Sequence, residues 1–251
     1  MVIRGTFIQL QSGFFFFWPS SQFYVGPRYF GLLYWGTLLI FSWKPTRIIL
    51  GSDNISVVIR RKWFHLLAVA LFGPVTFFLP QLMSLSYAIV LCILAVLENL
   101  RTDIPDLQSF YLTFADPTKD KPQNLLVSHI FLVLGCAMPH WISEYVSHDQ
   151  SVLLLSWGVV VLGIGDAAGA MIGSLYGTHH WGRNQRTLEG SLAMWLSIVG
   201  IALPLLLSNP QNFCIIAAAT TITTVLEAIT LQMDNLVLPL LGSIIILMLQ
   251  S

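Results

Sequence analysis

Runs of roughly 17 to 25 apolar residues recur along this chain, and each marks a helix able to cross a hydrocarbon core about 30 Å thick. They fall at about 29–43, 63–80, 82–97, 125–142, 152–177, 190–207, 213–231 and 236–250. The expected fold is therefore all-α, a polytopic integral membrane protein with eight transmembrane helices. Residues 7–25, with Phe14 to Trp18 in a row followed by Pro19, Ser20 and Ser21, are apolar but broken, and stand as a ninth span, a re-entrant piece or the stump of a longer N-terminus. A cleavable signal peptide is not expected there, because small cleavage-site residues are missing and aromatics are too many. Composition agrees. Hydrophobic residues make up 55% of the 251 and charged ones 10%, far below the roughly one quarter a water-soluble surface requires. With a net charge of zero, no global basic field argues for nucleic acid. Cys92, Cys136 and Cys214 lie inside apolar runs without CxxC-type spacing and carry no redox or zinc signal.

The alternation of spans puts 44–62, 98–124, 178–189 and 232–235 on one face, and 81, 143–151 and 208–212 on the other. Ten of the twelve basic residues, namely Lys44, Arg47, Arg60, Arg61, Lys62, Arg101, Lys119, Lys121, Arg183 and Arg186, lie on the first face. The loops of the second face carry none. The positive-inside rule makes the first face cytosolic. Glu98, Asp103, Asp106, Asp116, Asp120, Glu189 and Asp234 collect on the same side, so polar chemistry is expected there.

Within the span 152–177, glycine recurs at Gly165, Gly169, Gly173 and Gly177. A stripe of that period lets a neighbouring helix backbone approach closely, and packing accounts for it. Packing does not account for Asp166, since a carboxylate within the bilayer costs several kcal/mol unless it meets a wet cavity or a cation. On the span 213–231, Thr220, Thr223, Thr224 and Glu227 follow helical spacing, and Asp234 falls seven residues beyond Glu227 with Asn235 next to it. Glu227 and Asp234 make a plausible oxygen-ligand set for Mg²⁺. The threonines are expected to bond to their own backbone carbonyls, whereas Glu227 is expected to be functional rather than merely to cap or snorkel at the helix end.

The loop 178–189 contains Thr178, His179, His180, Gly182, Arg183, Asn184, Gln185, Arg186, Thr187 and Glu189, with Gly190 beyond. Arginine forks before an exposed helix N-terminus are what a triphosphate needs, and equally what a membrane anchor with Thr187 as helix cap would show. His179 and His180 have no metal partner at a recognisable spacing and read as interfacial. The cluster Arg60-Arg61-Lys62 before His65 reads by itself as a lipid-headgroup anchor. Glu98 and Arg101 form an i, i+3 ion pair or part of a cleft. The stretch 102–124, with its three prolines, reads as a polar loop lying over the site.

Together these residues resemble the CTP-dependent polyprenol kinase family. The motifs are Arg61-Lys62-x-x-His65, Glu98-x-x-Arg101, Gly165-Asp166-Ala167 through Gly173 and Gly177, Thr187-x-Glu189-Gly190, and Leu226-Glu227-Ala228 leading to Asp234-Asn235-Leu236-x-Leu238-Pro239. The resemblance spans about residues 60 to 250. It divides the chain into an N-terminal region, 1–60, with one or two weakly defined helices, and a kinase-like membrane domain, 61–251. It implies phosphorylation of the polyprenol dolichol to dolichyl phosphate, with CTP as donor and Mg²⁺ or another divalent cation as cofactor. It further implies a site on the cytosolic face of the endoplasmic reticulum membrane, lipids as surroundings, no nucleic acid partner and a role in supplying the carrier for protein glycosylation. Asp166, Glu189, Glu227 and Asp234 are the implied catalytic acids, with Asp166 and Glu227 as metal ligands. Gly173, Gly177, Gly182, Arg183, Asn184, Gln185, Arg186, Thr187, Glu189 and Gly190 are implied to bind CTP, supported by Arg61, Lys62, His65, Glu98, Arg101 and Asn235.

Two departures from the family pattern are visible. Its loop normally presents Lys-Lys-Thr after Pro-Gly, whereas here Gly182 stands without the proline and Gln185-Arg186 replaces the lysines. Family members also carry several more N-terminal helices, so a truncated form or an incomplete gene reading is expected. Asp166 followed by Thr-x-Glu-Gly also resembles the phosphatidate cytidylyltransferases, whose C-terminal signatures are absent here. No P-loop or soluble-kinase signature is present. The non-enzyme alternative is an ion-coupled transporter with Asp166 and Glu227 as relays.

Overall fold

The computed structural model describes residues 25–52, 55, 57–112, 126, 128–146, 151–182, 186–208, 211–230 and 234–250. Apart from Val25, the broken segment 7–25 lies outside the described residues. Among the described residues the chain is all-α, with one isolated two-residue bridge in place of any strand. The helices are α1 (Val25–Gly51), α2 (Val57–Phe78), α3 (Pro80–Leu100), α4 (Pro105–Leu112), α5 (Ser128–Val146), α6 (Val152–Gly158), α7 (Asp166–Tyr176), α8 (Leu188–Ser208), α9 (Gln211–Ile229) and α10 (Asp234–Gln250). A π-helical segment, Val159–Gly165, joins α6 to α7.

Every expected apolar run has become a helix, but two expectations need correction. The stretch 102–124 is not wholly a loop, because α4 occupies its first half, opened by Pro105 with Asp106 in the first turn. Proline at a first helical position has no amide to leave unsatisfied, and an acid there meets the positive end of the helix dipole. Nor is 152–177 a uniform helix, since seven residues before Asp166 run in the wider π form.

Two helices, Pro80–Leu100 and the continuous Val152–Tyr176, are long and apolar enough by themselves to cross a membrane. The helices turn large apolar side chains outward, among them Phe30, Phe41 and Leu175, and Phe78 is 82% exposed. Apolar surface of this extent is what a lipid environment, rather than water, would cover. Inside, Leu154, Trp157, Leu162, Met194, Ile198, Ile216, Leu238 and Ile246 form a closed core around the α6–π–α7 rod.

The rod is flanked by α2, α5, α8 and α10, with α9 packed between α8 and α10. Helix α1 is pinned to α2 by polar bonds with a covalent cause. Pro74 has no amide to give the carbonyl four residues earlier, which leaves Ala70 O available. Tyr34 Oη donates to Ala70 O at 2.5 Å, and Trp35 Nε1 donates to Leu71 O at 2.7 Å. Proline's backbone defect thus becomes a helix–helix contact, the usual repair where lipid offers no hydrogen bonds.

Candidate active site

The site begins with the π segment, because π turns widen a helix and re-aim the residues beyond them. Gly163, inside it, presents no side chain to α2, and a Cβ there would run into Val69 Cγ2 and lie 3.6 Å from His65 O. That close approach brings the first turns of α2 onto Asp166. Lys62 Nζ donates to Asp166 Oδ2 in an ion pair, and His65 Nε2 stands 3.3 Å from the same oxygen. The cation that a buried carboxylate demands is therefore a lysine 104 residues away in sequence. Asp166 begins an eleven-residue α7, so it is recessed about 15 Å from that helix's far end at 1.5 Å per residue.

The opposite side of α7 meets α8 along the glycine stripe. A Cβ on Gly169 would lie 3.1 Å from Gly190 O, one on Gly173 2.9 Å from Thr187 Oγ1, and one on Gly190 2.7 Å from Gly169 O. Gly165 continues the seam against Ile198 and Met194. The seam holds the start of α8, and the segment leading into it, against α7.

That segment folds back on itself. Trp181 N donates to Arg186 O at 2.9 Å, Leu188 N to His179 O at 2.8 Å, and His180 pairs with Thr187. Gly182 turns the chain with φ of 56°, in the left-handed region that glycine enters without a steric penalty. Thr187 Oγ1 accepts from Gly190 N at 3.2 Å and so caps α8. Glu189 accepts from Thr178 Oγ1 at 2.8 Å and from His179 N at 3.2 Å, and its carboxylate is 2.7 Å from His179 Nδ1. The His179 ring beside it, with the backbone and Thr178 hydroxyl bonds, holds the Glu189 carboxyl well below the usual carboxylate range. Glu189 thus ties the loop to the helix it precedes.

Arg186, at the foot of this hairpin, forms an ion pair through Nη1 with Oε1 of Glu227 on α9. Its positive charge and that of Arg61 also act on Lys62. Lys62, Asp166, Arg186 and Glu227 are therefore brought into one locality by α2, α7, the hairpin and α9. Glu98 and Arg101 form a doubly bonded pair, at 3.1 and 2.7 Å, inside the protein. Glu98 Oε1 also accepts from Leu126 N at 2.8 Å, fastening the end of α3 to the chain entering α5. Asn235 Nδ2 donates to Ser128 O at 3.2 Å and ties α10 to α5. Arg183, Asn184 and Gln185, and the side chain of Asp234, lie outside the described residues.

The threonines of α9 differ from expectation. Thr220, Thr223 and Thr224 are buried, yet their hydroxyls find no hydrogen-bond partner, on their own backbone or elsewhere, among the described residues. Among those residues no three His, Cys, Asp or Glu side chains converge as a preformed metal cluster. Gly163 and the Thr178–His179–Glu189 contact were missed from sequence. Gly163 lies off the four-residue glycine period and faces a different neighbour, which was the available signal.

Comparison with known proteins points one way. The chain is 31% identical over 221 residues to dolichol kinase EVAN of Arabidopsis thaliana, covering 83% of this chain and 38% of that protein. It is 32% identical to dolichol kinase sec59 of Schizosaccharomyces pombe, over 72% of this chain and 37% of the relative. With the dolichol kinase of Homo sapiens the identity is 30%, over 72% and 36% respectively. The chain spans well under half the length of these curated relatives. No family model matches it, and no solved structure matches it.

Proposed function

We propose that this chain, which is related to the dolichol kinases over most of its length, carries the phosphoryl-transfer site of a polyprenol kinase that moves the terminal phosphoryl group of CTP to dolichol. The observation that supports this best is the juxtaposition of two ion pairs, Lys62 with Asp166 and Arg186 with Glu227. Phosphoryl transfer is catalysed almost entirely by positioning and charge, and needs cations along the triphosphate with acids nearby. In this site each cation is matched to an acid. Triphosphate oxygens compete for Lys62 and Arg186, and as they take those cations the carboxylates of Asp166 and Glu227 are released beside them.

Mg²⁺ fits that donor set, because it is ordinarily held by one or two carboxylates plus phosphate oxygens and needs no dedicated cage. Asp166 and Glu227 would hold it, and it would neutralise triphosphate charge. Glu189 positions the hairpin that carries Arg186, through Thr178 and His179. Gly173, Gly177 and Gly190 keep the start of α8 close enough to α7 for Arg186 to reach the site. The deciding assay is transfer of label from terminally labelled CTP to dolichol by purified protein in detergent. No transfer to any polyprenol, by protein with nucleotide bound, would sink this function.

We place eight spans in the endoplasmic reticulum membrane, with 44–62, 98–124 and 178–189 in the cytosol and 143–151 in the lumen. The reading rests on the ten-to-none basic asymmetry between the two faces. An engineered glycosylation acceptor should be modified in 143–151 and left unmodified in 178–189. The reverse pattern would invert the topology and with it the access to cytosolic CTP.

Gly163 provides a test of how the site is assembled. Gly163→Ala drives a methyl group into Val69 and should push Lys62 and His65 away from Asp166. A displacement of about 1 Å costs roughly a hundredfold in turnover. Val69→Ala in the same chain removes the colliding methyl group and should restore most of the loss. Failure of that rescue, with both proteins folded, would break the link between the π segment and activity.

A further inference from the structure

Beside the charged site lies an apolar cavity of about 400 Å³, bounded by α2, α3, α4, α5 and the first turn of α10. Ala68, Phe72, Leu94, Phe110 and Leu132 are among its walls. Its polar residues are Arg61 and His65 near the start of α2, Tyr111 near the end of α4 beside His129, Ser128 and His129 opening α5, and Asn235 near the start of α10. The starts of α5 and α10 lie side by side, as the bond from Asn235 to Ser128 O requires, and the start of α2 lines the same cavity. Phe72, Leu132 and Val133 lie deeper along the same helices. The cavity is thus apolar in depth and polar at one rim.

His65 belongs to both places. It lines the cavity, and its Nε2 faces Asp166 at 3.3 Å. Its Nδ1 lies 3.0 Å from Arg61 O and, since a carbonyl can only accept, donates to it. Nε2 is buried against the Asp166 carboxylate, at the boundary between the cavity and the ion pairs. An alcohol whose chain lies in the apolar depth would therefore bring its hydroxyl to the rim beside the Asp166 carboxylate, a hydrogen-bond acceptor.

We infer that this cavity seats the hydroxyl-bearing end of the polyprenol, with the hydroxyl at the polar rim beside His65 and Asp166 and the first isoprene units packed between α2, α3 and α5. The inference rests on the kinase function proposed above and adds where the lipid substrate binds. At about 400 Å³ the cavity stands near the small end of the roughly 300–1,000 Å³ usual for ligand pockets, so it holds only the head of a long prenol. The remainder of the chain lies in lipid.

The test is photolabelling of the full chain in detergent with a short polyprenol carrying a diazirine on its first isoprene unit, read by peptide mapping alongside turnover. Labelling should fall on cavity-lining residues of α2, α3 and α5 and be competed by unlabelled prenol. Ala68→Phe, which fills the cavity without touching the ion pairs, should cut that labelling and raise the KM for prenol at least tenfold with the KM for CTP unchanged. Labelling confined to outward helix faces, or undiminished by competitor or by Ala68→Phe, would overturn the seat whatever the turnover. Competed cavity labelling with no phosphorylation of any prenol would instead overturn the kinase function and leave the seat standing.

Discussion

Asp166→Asn is expected to impair phosphoryl transfer severely and, in addition, to destabilise the protein. The amide nearly preserves shape, so from sequence alone a folded, inactive variant is expected. The ion pair with Lys62 alters that expectation. Both side chains are largely shielded, at 13% and 10% exposure, and removing one charge leaves the other buried without compensation. Breaking such a pair costs about 3–5 kcal/mol, whereas replacing both members with neutral groups is often tolerated. Turnover should fall by roughly a hundred- to a thousandfold, the range for deleting one preorganised electrostatic group. Combining Asp166→Asn with Lys62→Met should recover thermal stability and leave turnover lost. Near-normal turnover in the single variant would remove Asp166 from the mechanism. A double variant no more stable than the single would show that the pair is not what holds α2 to the rod.

Arg186→Ala should raise the KM for CTP by roughly ten- to a hundredfold, which corresponds to about 1.5–3 kcal/mol for a hydrogen bond to a charged group. Arg186 stands at the foot of the hairpin and is partnered by Glu227, so the same substitution also leaves Glu227 without its counter-charge. Glu227→Gln separates the two effects. It frees Arg186 for phosphate, and should lower the KM for CTP while reducing kcat if the acid serves the transfer. Arg186→Lys should retain or raise activity, because the resembling family carries lysine at this place and an ammonium still satisfies a phosphate as a point charge. An unchanged KM for CTP in correctly inserted Arg186→Ala would return the loop to a membrane-anchor role. Parallel changes in KM after Arg186→Ala and Glu227→Gln would show that the ion pair itself, and not the free arginine, meets the nucleotide.

What the amino-acid sequence determined by itself was everything carried by one-dimensional signals. Hydrophobic run length located the helices, because an apolar segment must bury its own backbone polar groups wherever it sits. The four-residue period of Gly165, Gly169, Gly173 and Gly177 announced a close helix contact, since period and helical face are the same information. The Glu98–Arg101 pair was legible for the same reason, both residues lying on one turn of α3. Even the unusual character of Asp166 could be read, because a carboxylate in an apolar run is costly whatever its neighbours are. The neighbours were another matter. That Lys62 is the cation beside Asp166 depends on the π segment and on the bare face of Gly163, against which α2 packs. Likewise Glu189 turned to Thr178 and His179, and Arg186 to Glu227, because a short hairpin doubled back at Gly182. The apolar cavity beside His65 had no sequence signature, being the space left between α2, α3, α4 and α5 once they had packed. Charge pairing and cavities depend on distances between residues tens to a hundred positions apart. Those distances are set only when the packing of whole helices closes the chain upon itself.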